Sequence, residues 1–109
     1  MPKRVELQES AVQDVESAMA HYLSMGDRHL VVRFVEGLER TVSQIARGPH
    51  NGSLRFAYEL ELPDLRCWPI PRFPYLIFYI EVADRIVVWR VLHTHRDIAG
   101  LLGEPDDLP

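Results

Sequence analysis

Cysteine is almost missing from this chain: Cys67 is the one example in 109 residues. That excludes an intrachain disulfide and any cysteine-based metal cluster, and a reducing compartment fits. No run of about 18 apolar residues is present, so no membrane-spanning helix is expected. No glycine-rich phosphate loop can be found. Met1-Pro2-Lys3-Arg4 is not followed by an apolar signal core, and a cytoplasmic protein is the expectation. Basic charge is also short, since the formal net charge is −4. Nucleic-acid binders draw much of their affinity from Lys and Arg on phosphates, so direct nucleic-acid binding is not expected.

What remains is 47% hydrophobic and 26% charged, the balance of one soluble globular domain. The charge is unevenly spread. Between Leu65 and Arg96 lie Arg66, Arg72, Arg85, Arg90 and Arg96 against only Glu81 and Asp84. The end of the chain, 103–109, carries Glu104, Asp106 and Asp107 and reads as a flexible acidic tail. A locally cationic region suits an anionic partner even on an acidic chain. A domain this small is marginally stable alone, and a partner that binds only its folded form raises that stability.

Periodicity divides the chain into seven elements and one weakly patterned stretch. Arg4 to Leu7 reads as a strand with Val5 and Leu7 on one face. Ser10 reads as a helix cap, with Gln13 reaching back in a capping box. Val12, Val15, Met19 and Tyr22 then recur at helical spacing and predict a helix over 11–25. Gly26-Asp27 stops that helix and caps the next, whose stripe is Val31, Phe34, Val35, Leu38, Val42 and Ile45. Gly48-Pro49 ends it, and the short connection predicts an antiparallel helical hairpin. The stretch 54–62 alternates weakly and fits a strand or an extended loop. Leu65 to Trp68, Tyr75 to Val82 and Ile86 to His93 read as strands. Pro69, Pro71 and Pro74 place the first of these at an edge or make it irregular. The other two are apolar on both faces and belong at the centre of a sheet covered by the hairpin. Asp97 reads as the cap of a short final helix reaching Leu102. The predicted class is α+β, with the helical hairpin on a small, mainly antiparallel sheet.

The residues within this order carry a resemblance. Leu65-Arg66 leads to Phe73-Pro74-Tyr75-Leu76-Ile77-Phe78-Tyr79, then to Arg90-Val91-Leu92-His93 and Arg96-Asp97. This run resembles the ParE branch of the RelE/ParE toxin–antitoxin superfamily, whose members include plasmid stabilisation proteins. Pro49 and Gly52 resemble the family's break after its second helix. The likeness extends from the first strand to about Leu102, and Thr94-His95 departs from the small residues usual there. It implies a toxin that inhibits DNA gyrase by contact, without a catalytic centre, and that a cognate, ParD-like antitoxin neutralises. RelE-like relatives instead cut messenger RNA on the ribosome, and a non-toxic interaction module of the same fold is a third possibility.

Metal-independent RNA cleavage needs a base, an acid and a cation for the phosphorane. Arg90, Arg96, His93 and Tyr79 are the residues that would supply them, with His95 and Arg66 beside them. After Arg96 the chain has no His, Tyr, Lys or Arg, which counts against this chemistry. The structural alternative for Arg90 is an ion pair with Glu81 or Asp97. His93-x-His95 is a spacing that metals use, but no third ligand stands near, so no metal or cofactor is expected. His93 otherwise fixes the turn after its strand. Tyr75 and Tyr79 share a strand face and suit core packing. For partner binding the expected residues are Arg66, Trp68, Arg90 and Arg96, with Trp68 as an exposed anchor. Tyr22 and Leu30, with Leu23, extend the apolar surface of the hairpin, where an amphipathic antitoxin segment could lie against the sheet.

Overall fold

The computed structural model describes residues 2–95 together with Ile98 and Gly100. Arg96, the expected helix cap Asp97 and the acidic tail at 103–109 fall outside them. The chain runs through β1 (Arg4–Leu7), α1 (Glu9–Ser24), α2 (Arg28–Arg47), a 3-10 turn (Pro49–Asn51) and α3 (Arg55–Glu59). It then forms β2 (Arg66–Pro69), β3 (Tyr75–Glu81) and β4 (Arg85–His93). The class is the expected α+β, with one sheet in the order β1-β4-β3-β2. β2–β3 and β3–β4 are antiparallel, while β1 pairs with β4 in parallel. Among the described residues no helix is long and apolar enough to cross a membrane.

Local chemistry explains the hairpin. Gly26 adopts φ +78°, a left-handed conformation that glycine takes without a β-carbon clash. Asp27 then turns its carboxylate onto the N–H groups of His29 (2.9 Å) and Leu30 (3.3 Å), capping α2. The start of α1 differs from expectation. Its cap is Gln8, without a side-chain bond, and Ser10 lies inside the helix. The Gln8 N–H is already bonded to the Val88 carbonyl at 3.0 Å. Strand pairing therefore places the chain where the helix must begin, and Ser10 falls two residues too late to cap it.

The weakly patterned stretch 54–62 is neither strand nor extended loop. It contains α3, with Ala57 buried and Phe56 packed against Phe78 at 5.4 Å between ring centroids. The prolines act as predicted, since β2 is an edge strand of the sheet.

Both faces of the sheet are covered. On one side Ala11, Ala18, Tyr22, Phe34, Leu38 and Ile45 from the helices meet Ile77, Tyr79, Ile86, Val88 and Val91. On the other side Leu62, Leu65 and Ile98 meet Cys67, Phe78, Trp89 and Leu92. β3 and β4 are out of step by one residue: Phe78 pairs with Arg90 but Tyr79 with Val88, a bulge that leaves Trp89 extra. Replacing Asp27 with Ala should cost about 1 kcal/mol, because two N–H groups of the first α2 turn lose their acceptor. Urea unfolding of the purified chain checks this.

Candidate functional site

Arg90 is the charged residue in the interior of β4, and its surroundings define one groove. The ion pair predicted for it exists, but with another partner. The guanidinium meets Asp14 of α1 in a forked contact, Nε to Oδ2 at 2.7 Å and Nη2 to Oδ1 at 2.9 Å. Asp14 Oδ2 also accepts the backbone N–H of Val91 at 3.0 Å. β1 ends at Leu7, level with Val88, so the carboxylate takes up a β4 N–H beyond the end of the parallel ladder. The Asp14 bond holds Arg90 above its ordinary pKa against the opposing effect of burial. Glu81 pairs instead with Lys3 at 2.8 Å, and that bond lowers its pKa. Asp14 was overlooked in the sequence, although it sits between Ala11 and Ala18 on the buried face of α1, where an acid requires a partner.

Asp14, Ser17, Ala18 and His21 of α1 face Tyr75, Arg90, His93 and His95 across a cavity of about 400 Å³. The backbone N–H of His95 donates to His93 Nδ1 at 3.1 Å, so His93 does tie the turn that follows β4. The two imidazoles lie 5.3 Å apart, and Tyr75 meets His93 edge-on at 5.2 Å. His21, which no sequence pattern singled out, completes a trio of imidazoles around the opening. Among the described residues no group of three or more His, Cys, Asp or Glu is arranged to hold a metal ion.

Tyr79 and Arg66 sit elsewhere and serve one loop. Tyr79 is fully buried, and its hydroxyl donates to the Pro49 carbonyl at 2.7 Å. Burial pushes its pKa up to about 12, against the lowering effect of nearby Arg66, so the phenol keeps its proton at neutral pH. Tyr79 thus lies in the core and does not line the histidine-bearing groove. Arg66 Nη1 donates to the carbonyls of His50 (3.0 Å) and Gly52 (2.9 Å). A β-carbon at Gly52 would collide with the Tyr79 hydroxyl, so glycine is needed for this close approach.

The expected partner-binding residues are therefore scattered. Trp68 is not an exposed anchor; it is half-buried and packs against the core beneath the helices, across from Ile77. Tyr22 is 8% exposed and lies in an aromatic cluster with Phe34, Phe73 and Tyr75. Leu30 is half-buried at the edge of a second groove, between α2 and the turn before β3. Leu23 is exposed. Cys67 is buried, and desolvation raises its thiol pKa, as suits an inert core residue.

Two outcomes follow. Asp14→Ala should destabilise the fold by about 2–4 kcal/mol, because a partly buried guanidinium and the Val91 N–H both lose their acceptor. Asp14→Asn retains an acceptor and should lose less; equal losses in denaturant unfolding would contradict this account. Tyr79→Phe should cost about 1–2 kcal/mol at neutral pH by orphaning a buried carbonyl. The folded pKa of Tyr79 lies above its ordinary 10.0, so its proton stabilises the fold below pH 10 and that contribution fades towards pH 12. The stability gap between the native chain and the Phe variant should therefore narrow as pH rises from 10 to 12.

Comparisons agree with this architecture. A chain of the chromosomal ParDE toxin–antitoxin system from P. aeruginosa superposes with a TM-score of 0.72 at 16% identity. The match covers 85% of this chain and 97% of that one. Curated protein sequences give no significant match. The family model for the ParE toxin of the type II toxin–antitoxin system parDE matches residues 5–98, from β1 to beyond β4, and the chain belongs to that family.

Proposed function

We propose that this chain inhibits DNA gyrase by contact and is neutralised by a cognate, ParD-like antitoxin. Family membership across residues 5–98 makes the chain a toxin-family protein. The observation that favours contact over catalysis is how its polar groups are spent. Arg90 is forked onto Asp14, Arg66 onto two carbonyls and Tyr79 onto a third. A catalytic cation or acid must instead strengthen its bonds as the transition state forms. These side chains fix the shape of a surface, which is what a binding inhibitor requires.

A second reading is metal-independent ribonuclease action. It draws support from the imidazoles of His21, His93 and His95 around one opening. In it His93 or His95 moves protons and Arg90 or Arg96 meets the phosphate.

One set of measurements separates the two. Purified chain in molar excess should abolish ATP-dependent supercoiling of relaxed plasmid by gyrase. Induction in cells should arrest growth with translated messages intact, and co-expression of a small adjacent reading frame should restore growth. Full supercoiling activity together with rapid message cleavage would replace the first reading with the second. Harmless expression without an antitoxin would leave an interaction module of the same fold.

A further inference from the structure

One aromatic ring stands apart from the packing described so far. Tyr22, Tyr75 and Tyr79 are buried, whereas Tyr58 of α3 is 93% exposed. Leu54, one helical turn earlier, is also exposed and lies on the same stripe. Beside them is a hollow of about 550 Å³ lined by Leu54, Ala57, Tyr58, Glu61 and Pro63, with buried Ala57 as its floor. The turn that ends α3 shapes its rim. The Leu62 N–H donates to the Ala57 carbonyl at 3.0 Å and the Glu61 N–H to the Tyr58 carbonyl at 3.4 Å, the paired bonds of a Schellman stop. Glu61 occupies the left-handed position, φ +55°, that glycine usually fills. The chain thereby doubles back and brings Pro63 to the hollow. A protruding ring and an apolar hollow thus lie side by side on one small face.

Charge flanks this face. Arg55 and Glu59 are exposed, and among the described residues neither enters an ion pair. Arg55 rests over the Phe56 ring at 4.9 Å. A base four positions before an acid is the weaker order for pairing within one helix, which leaves both charges available to a partner.

We propose that this face is a self-complementary contact between two copies of the chain, with Tyr58 of each copy entering the hollow of the other. A two-fold axis demands that a surface fit itself, and a knob next to its own kind of hole meets that demand. Two α3 helices that cross antiparallel at position 57 set Arg55 against Glu59 of the second copy, and Glu59 against its Arg55. Two opposite-charge pairs then flank an apolar centre, the usual layout of an interface. Five lining residues fall short of the roughly 20–30 per side of a stable interface, so the contact is weak and depends on concentration. It is independent of the target proposed above, and holds for a gyrase inhibitor and a nuclease alike.

Sedimentation equilibrium of the purified full chain, from about 10 µM to about 1 mM, is the test. The average mass should climb towards that of a dimer. Tyr58→Asp changes a solvated side chain, so stability in urea should hold while self-association weakens by about tenfold or more. Arg55→Glu and Glu59→Arg should each self-associate more weakly, because each sets like charges against one another across the axis. Mixed in equal amounts, the two variants should associate again, since each supplies the charge that the other needs. A chain that stays monomeric over the whole range would overturn the proposal, as would a dimer indifferent to Tyr58→Asp. Mixed charge variants that remain apart would overturn it as well, because the two ion pairs would not span the axis.

Discussion

A sheet whose two central strands are apolar on both faces cannot leave either face in water, and this constraint organises the molecule. β3 and β4 carry buried side chains on each side. Each fully buried aliphatic or aromatic side chain contributes about 1.5–3 kcal/mol. The long helical hairpin answers the constraint on one face. The other is closed by smaller pieces: Phe56 of α3, Leu60, Leu62, Leu65 and Ile98. β1 follows from the same geometry. It enters beside β4 in parallel, and the two helices then return across the face that β1 and β4 share.

The polar side chains that resemble functional groups mostly solve problems created by this packing. Asp14 and Arg90 neutralise one another at the end of the β1 ladder, where Val91 would otherwise lack an acceptor. Arg66 and Tyr79 hold the 49–52 loop against the sheet through its carbonyls. Buried backbone groups must find partners, and here charged and phenolic side chains supply them. Arg33 and Arg40 of α2 and Arg72 of the turn before β3 instead line a separate groove together with Glu36.

Much of this was readable in advance because local chemistry decides it. The stripe through Phe34, Leu38 and Ile45, the Gly26-Asp27 stop and cap, and the Gly48-Pro49 break each specify a backbone state within a few residues. Pro69 and Pro71 likewise remove ladder donors and consign β2 to an edge. The missed features depend on distant partners. Ser10 is a sound cap by type, but a bond from Gln8 to Val88 starts the helix earlier. The stretch 54–62 lacks a pattern because α3 is only five residues long and is held by packing on Phe78. Trp68 looked free beside a proline, yet its strand face is the one beneath the helices.

By itself the sequence determined the helix stripes, the stops, the edge strand and the family likeness, since each is set by side-chain type and spacing within a short segment. Tertiary structure alone decided that Arg90 belongs to Asp14, that Tyr79 and Arg66 secure a loop, and that Arg33, Arg40 and Arg72 surround one groove. Those pairings join residues tens of positions apart, and only chain closure sets their distances.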